Sequence, residues 1–207
     1  MSHRLLRFAL IAAVLFYAPS RAYAAPILID FESLSEGTDV GSLLGPALTF
    51  SNATVLTAGT SLNEIEFPPT SGANVVYDSG SPLRIDFAGG ISSFSAYFTY
   101  IAPLTIQFFD ASGLLGSTTS SFDFNFGSSG NAPNELLGGA FASISYVTIS
   151  GFSLGGSFVM DDLTFEPAAA TPPPPIPEPS TLVLLGSGVL ALVKARNRGA
   201  GRRVPTM

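Results

Sequence analysis

The sequence predicts an all-β domain built as a two-sheet sandwich, with a segment of different character at each end. The chain has 207 residues, of which 46% are hydrophobic and only 12% charged, and it contains 21 Gly and 16 Pro. A composition so poor in charge and so rich in turn residues favours strands over helices. Between residues 26 and 166 the apolar residues alternate or form short blocks, without a useful run of helical periodicity.

Nine short segments of this region are predicted as strands, and turn residues separate them. Gly-Pro at 45–46, Pro-Pro at 68–69, Ser-Gly at 79–80 and Gly-Gly at 89–90 mark breaks. About nine strands in about 140 residues indicate a sandwich, of which a jelly roll is the best match. The predicted strands are Pro26–Phe31, Ala47–Leu56, Asn74–Asp78, Leu83–Phe87, Phe94–Tyr100, Leu104–Asp110, Gly113–Thr118, Ile144–Ser150 and Phe158–Phe165.

The stretch Phe122–Leu137 is rich in Ser, Gly, Asn and Phe, and is predicted as an extended strand edge followed by a long loop. Phe122, Phe124 and Phe126 alternate along it, so their side chains should face one way. Two interpretations remain open. The three rings are buried in the core, which is favoured, or they line a groove.

Residues 1–24 have the features of a secretory signal peptide, with a helical apolar centre. Two arginines precede the apolar run Phe8–Tyr17, and small residues at Ala22 and Ala24 follow it. This pattern predicts cleavage by signal peptidase between Ala24 and Ala25. An uncleaved membrane anchor is the less favoured alternative, because a run of about ten residues is short of the ~20 that span a bilayer.

Beyond the predicted domain, residues 25–167, lie a linker, a hydrophobic segment and a tail. Residues 168–175 end in four prolines, which predicts an extended polyproline II linker. Residues 176–203 hold Pro177, Glu178, Pro179, Ser180 and Thr181, then the apolar run Leu182–Val193, then a basic cluster, and residues 204–207 form the tail. This order predicts a short membrane-seeking helix whose basic end stays on the cytoplasmic side. As a helix, the apolar run covers only ~18 Å, so it crosses a bilayer only with local thinning.

This arrangement of Pro177-Glu178-Pro179-Ser180-Thr181, apolar run and basic end closely resembles the PEP-CTERM sorting signal of exported bacterial proteins. The resemblance implies recognition and processing near this motif by an exosortase, a membrane cysteine protease-transpeptidase. It implies anchoring in the membrane before processing, and then a place at the cell surface or in the extracellular matrix. Such proteins occur in Gram-negative bacteria that make exopolysaccharide and biofilm. An ordinary membrane anchor that is never cut is the alternative.

The charges exclude one class of partner. Between Asp30 and Glu166 the chain has fourteen acidic residues and one cation, Arg84, which gives this region a net charge of −13. A surface of this kind repels the phosphate backbone of nucleic acids. It suits cations, neutral sugars or simply solubility.

The residue types also exclude most catalysis, and the sequence offers no catalytic residues. The chain has no cysteine, its one histidine (His3) lies in the signal peptide, and no lysine lies between residues 25 and 193. A catalytic triad, a thiol nucleophile, a Schiff base and histidine-bound zinc are therefore excluded. A carboxylate pair of the glycosidase kind survives as a remote option, and its possible members are Glu32, Glu64, Glu66 and Glu135.

Calcium is the best cofactor candidate, because it takes oxygen ligands alone. Both ends of the domain are acidic, with Asp30 and Glu32 at the start and Asp161 and Asp162 at the end. The pattern weakly resembles jelly-roll domains of the galactose-binding-like or carbohydrate-binding kind. The resemblance implies that the first and last strands lie close together with a structural calcium between them. Four surface carboxylates without a metal are the alternative.

Three classes of function remain. The favoured one is a non-enzymatic, envelope-sorted surface or matrix protein that interacts with exopolysaccharide. The second is a carbohydrate-binding module with a defined glycan site, and the third is a secreted hydrolase that uses carboxylates alone. Sugar binding needs aromatic faces, and the chain has no Trp. Tyr77, Tyr97, Tyr100 and Tyr146 remain for that role, although tyrosines of a sandwich are more often core-edge residues.

Overall fold

The computed structural model describes residues 25–41 and 45–168, which form an antiparallel all-β domain, as the sequence predicts. In this part of the chain the helical elements are two 3-10 turns, Gly45–Ala47 and Gly127–Ser129. The predicted signal helix and C-terminal helix lie outside it, and no helix within it is long and apolar enough to cross a membrane. The strands are β1 (Ile27–Ile29), β2 (Leu48–Ser51), β3 (Ala53–Thr57), β4 (Asn74–Asp78), β5 (Leu83–Tyr100), β6 (Thr105–Asp110), β7 (Gly113–Thr119), β8 (Glu135–Ser150) and β9 (Phe158–Pro167).

Neighbouring strands of the sheet are mostly distant in sequence. The order is β3-β4-β9-β5-β8-β6-β7, with β1 paired to β9 and β2 paired to β5. The first and last strands pair directly, so that Ile29 lies opposite Leu163. This confirms that the two ends of the domain meet, and it agrees with the predicted jelly roll.

The two predicted sheets are two halves of one sheet, because β5 and β8 run through both. In the first half of β5, Ile85 lies between Phe50 of β2 and Val147 of β8. In its second half, Phe98 lies between Met160 of β9 and Glu135 of β8. We call the half with β2, β6 and β7 layer one, and the half with β1, β3, β4 and β9 layer two.

The predicted break at Gly89-Gly90 is a bend within one long strand. The pairing of β5 with β8 changes register between Asp86 and Ser93, and Gly90 has a φ of 67°. Glycine adopts this left-handed conformation without steric cost. The chain therefore passes from layer one to layer two without leaving the sheet, and the two strands predicted at 83–87 and 94–100 are the two ends of β5.

Three other predicted strand boundaries are wrong. The strand predicted at Ala47–Leu56 is interrupted by Asn52, whose φ of 62° turns the chain from β2 in layer one to β3 in layer two. The predicted strand edge at the start of Phe122–Leu137 is part of a loop, residues 120–134. Strand β8 then begins at Glu135, well before the predicted Ile144, because its first half pairs with β5 in layer two.

Phenylalanines from both layers fill the space between them. Phe94 of layer two packs edge-on against Phe87 and Phe108 of layer one, with ring centroids 6.5 and 6.1 Å apart. All three rings are buried. Edge-to-face aromatic pairs stabilise a core beyond the area that they bury, so these contacts hold the layers together.

A buried carboxylate fastens the loop before β9 to β4. Asp78, only 1% exposed, accepts hydrogen bonds from the backbone N–H of Ser157 (2.9 Å) and Phe158 (3.0 Å) and from the hydroxyl of Ser157 (2.8 Å). Burial raises the pKa of Asp78, against the opposing effect of these donors. The folded protein therefore binds this proton more tightly than the unfolded chain. The stabilisation that comes from this tighter proton binding is fully present below the pKa of Asp78 in the unfolded chain, about 3.9. It is lost as pH rises through the raised pKa of Asp78 in the folded protein.

We expect Asp78→Asn and Asp78→Ala to behave differently. The asparagine keeps an acceptor for the amides and removes the buried charge, so its stability should rise relative to the wild type between pH 4 and pH 7. The alanine leaves three donors without a partner, at about 1–3 kcal/mol each. Urea unfolding at both pH values measures these differences. A constant difference between the asparagine variant and the wild type would contradict the raised pKa.

Candidate functional site

Three of the four predicted calcium residues contact one segment, residues 70–74, which is a loop that ends in the first residue of β4. Glu32 accepts hydrogen bonds from the backbone N–H of Ala73 (3.0 Å) and Asn74 (2.8 Å). Asp161 accepts from Thr70 (2.7 Å) and Ser71 (3.0 Å). The neighbouring Asp162 accepts from the Ser71 hydroxyl, and the exposed Asp30 accepts from the amide of Glu32. The acidic ends of the domain thus fasten this loop.

These carboxylates do not form a metal-binding group. In the described part of the chain, no set of three or more His, Cys, Asp or Glu side chains is placed to hold a metal ion. Burial raises the pKa of Asp161 to about 6, and the charge of Asp162 adds to that effect. Backbone N–H groups bind Oε1 of Glu32 and both carboxylate oxygens of Asp161, which a cation would have to share. The donor set therefore fits calcium poorly as it stands, and bound calcium stays a prediction.

The four glutamates considered for a carboxylate pair serve separate contacts. Glu32 binds the 70–74 loop, and Glu64 accepts from the amide of Gly59 (3.2 Å). Glu66 accepts from the amide and the hydroxyl of Ser128, both at 2.9 Å. Glu135 accepts from the hydroxyl of Tyr100. Each of them has a structural partner of its own.

The tyrosines considered for sugar binding are mostly engaged within the domain. Tyr100 is fully buried, and burial together with its hydrogen bond to Glu135 raises its pKa to about 12. Tyr77 packs on a small apolar cluster of layer two, and Tyr97 is partly buried on β5. Both faces of Tyr146 are covered, since Phe109 stacks on it with centroids 4.5 Å apart and the guanidinium of Arg84 lies 3.6 Å from its ring centroid.

The phenylalanines of residues 120–134 lie at the surface, which corrects the favoured interpretation that the core buries them. We call these residues the aromatic loop. Phe122 is 42% exposed and Phe124 41% exposed, while Phe126 is partly buried with its ring centroid 5.6 Å from that of Phe124. The residue between them points the other way, since Asn125 is completely buried. Burial alternates only around Asn125, because Asp123, between Phe122 and Phe124, is exposed as well.

Asn125 fixes the aromatic loop to the end of β5. Its side chain accepts a hydrogen bond from the backbone N–H of Tyr100 (2.7 Å) and donates one to the carbonyl of Phe98 (2.9 Å). Its own N–H bonds the carbonyl of Tyr100 (2.9 Å). One residue thus satisfies buried backbone groups that would otherwise lack partners, and it does so without a further strand.

A second loop supports the aromatic loop from the side. The N–H of Gly127 donates to the carbonyl of Glu66 (2.8 Å). The two backbones are so close that a Cβ at position 127 would lie 2.1 Å from the carbonyl oxygen of Ile65. Only glycine permits this approach. Ile65 itself is 80% exposed, so apolar side chains from both loops reach solvent.

The aromatic loop and the C-terminal exit lie at opposite ends of layer two. The chain leaves the domain where Pro167 pairs with Ile91 and the N–H of Ala168 bonds the carbonyl of Gly90 (3.1 Å). The aromatic loop contacts Tyr100, at the other end of the same strand. Nine residue steps of β5 separate these points, or about 30 Å at the usual rise of a strand.

With the geometry of the domain described, the chain can be compared with known proteins. Residues 175–198 match the PEP-CTERM protein-sorting motif. This match confirms the resemblance on which the sorting prediction rests. The PEP-CTERM motif indicates export and sorting to the envelope, and implies processing by an exosortase. The matched residues lie outside the part of the chain that the structure describes, and so does the predicted signal cleavage at Ala22, Ala24 and Ala25, which stays a prediction.

The β-domain has distant structural neighbours, while none of the curated proteins matches the chain. A family 29 carbohydrate-binding module solved with cellulohexaose is 10% identical, with a TM-score of 0.38, over 70% of this chain and 92% of its own. A xylan-binding domain of family 22 is 15% identical, with a TM-score of 0.36, over 74% and 99%. A second xylan-binding domain, from Paenibacillus barcinonensis, is 12% identical, with a TM-score of 0.35, over 72% and 98%. Similarity at this level identifies neither a ligand nor a family for the β-domain.

We expect Asn125→Ala to release the aromatic loop. The substitution leaves the N–H of Tyr100 and the carbonyl of Phe98 buried without partners, at about 1–3 kcal/mol for each group. Limited proteolysis should then cut within residues 120–134, and urea unfolding should show the loss of stability. Asn131→Ala, which removes a single exposed hydrogen bond to the carbonyl of Phe124, is the control. Equal effects of the two substitutions would contradict the role of Asn125.

Proposed function

We propose that this protein is exported, cut by an exosortase at its C-terminal motif, and held at the cell surface or in the extracellular matrix, where it associates with exopolysaccharide without catalysing a reaction. The match of residues 175–198 to the PEP-CTERM motif carries the proposal. Before processing, the apolar run Leu182–Val193 anchors the chain in the membrane. Signal peptidase removes residues 1–24 during export.

The residue chemistry of the domain supports a non-enzymatic role. Between Ala25 and Lys194 the chain has no His, Cys or Lys, so nucleophilic catalysis of the usual kinds is excluded. The carboxylates that remain bind amides and hydroxyls of separate loops. Their contacts support a structural use of these acids.

Intact mass spectrometry of the protein from its native host tests the proposal. We expect the wild-type protein from envelope and medium to begin at Ala25 and to end close to Pro177–Thr181. Glu178→Ala should abolish the C-terminal cut, because it removes the charge of the motif. The matched control is Glu166→Ala, which changes the nearest carboxylate outside the motif and should leave processing intact. A wild-type mass that still ends at Met207 would mean an ordinary membrane anchor.

A further inference from the structure

The aromatic loop exposes two large apolar rings that the fold does not require there. Phe122 and Phe124 are each about two-fifths exposed, while the buried Asn125 already completes the hydrogen bonds of β5. Leaving part of each ring in water forgoes stabilisation that full burial would give. Single exposed apolar residues are common on protein surfaces, but two exposed rings within three residues of one ordered loop make this loop a candidate contact site.

The rings are held in place before any partner arrives. Ser120 donates a hydrogen bond to the carbonyl of Phe122 (2.9 Å), and Asn131 donates one to the carbonyl of Phe124 (2.8 Å). At the end of the loop, the hydroxyl of Thr99 donates a hydrogen bond to the side-chain oxygen of Asn134 and accepts one from the backbone N–H of Asn134, both at 3.0 Å. A fixed loop loses little conformational entropy on binding, which favours affinity.

Charge around the loop narrows the class of partner. From residue 85 to residue 193 the sequence contains no Lys or Arg, whereas the acids Asp123, Glu66 and Glu135 lie on the loop or bind to it. Phosphate groups and acidic sugars would therefore meet repulsion and no cation. Carboxylates and amide oxygens instead accept hydrogen bonds from neutral hydroxyl groups.

The export and processing proposed above would bring the loop to extracellular polysaccharide. A neutral chain that is rich in hydroxyl groups meets no charge repulsion at this acidic surface.

We propose that the aromatic loop is a binding site for a neutral polysaccharide chain. The C–H faces of its sugars pack on Phe122 and Phe124, with Ile65 at the side, and the carboxylate of Asp123 accepts bonds from sugar hydroxyls. Aromatic rings that supply apolar contact beside a few polar groups are the usual composition of a small-ligand site. This site specifies the class of ligand that the proposed matrix protein binds. The inference rests on the proposed function, because export is what brings the loop to polysaccharide.

Co-sedimentation of the mature protein with insoluble polysaccharide tests the site. The probes are a neutral β-glucan, the exopolysaccharide isolated from the native host, and an insoluble polyuronate. We expect the double substitution Phe122→Ser with Phe124→Ser to weaken binding to the neutral probes about tenfold or more, as loss of central aromatic contacts does elsewhere. Phe152→Ser is the matched control, because Phe152 is 47% exposed on another loop, and it should leave binding unchanged.

Thermal unfolding of both variants separates binding from folding, since neither changes a buried ring. Absence of binding to every polysaccharide, equal loss in the control, preference for the polyuronate, or binding to lipid vesicles instead would each overturn the site. The intact-mass measurement of C-terminal processing tests the sorting proposal independently of the binding site. Correct processing without polysaccharide binding refutes the site alone, whereas loop-dependent binding by an unprocessed chain refutes the sorting proposal alone.

Discussion

The pairing of β5 with β8 is the constraint on which the rest of the domain depends. These strands stay paired from Leu83 opposite Ile149 to Phe98 opposite Glu135, and they bend together from one layer into the other. Because the bend is shared, the two layers face each other and their phenylalanines meet in one core. The same two strands place the aromatic loop at one end of layer two and the C-terminal exit at the other.

The acidic residues of the domain act mainly as hydrogen-bond acceptors for loops. With one cation among the residues of the body, they have almost no ion pairs to form, and Arg84 is already bound to Asp86. Backbone amides and hydroxyl groups are the donors that remain, and carboxylates bind them strongly. Asp78 and Asp161 are buried in this role, at a cost that appears as a raised pKa for each. The negative charge thus organises the loops as well as the surface.

Much of the fold could be predicted from the pattern of residues, and much of the candidate site could not. Period-two alternation identified most strands, because one face of a strand is buried. The continuity of β5 could not be predicted, since Gly89-Gly90 has the same local chemistry in a turn and in a bend. For Phe122 and Phe124, alternation predicted that the rings face one way, but it could not show whether they face the core or solvent. Which side faces solvent depends on Asn125, whose partners lie 25 and 27 residues away.

The sequence by itself determined the all-β class, the exclusion of most catalysis and the sorting motif at residues 175–198. These properties depend on composition or on a short contiguous segment, which folding does not alter. Only the tertiary structure decided that the acidic ends of the chain fasten a loop, that Tyr146 is covered on both faces, and that the aromatic loop stands opposite the exit. Each of these depends on strands brought together across the sheet, and local sequence carries no record of such neighbours.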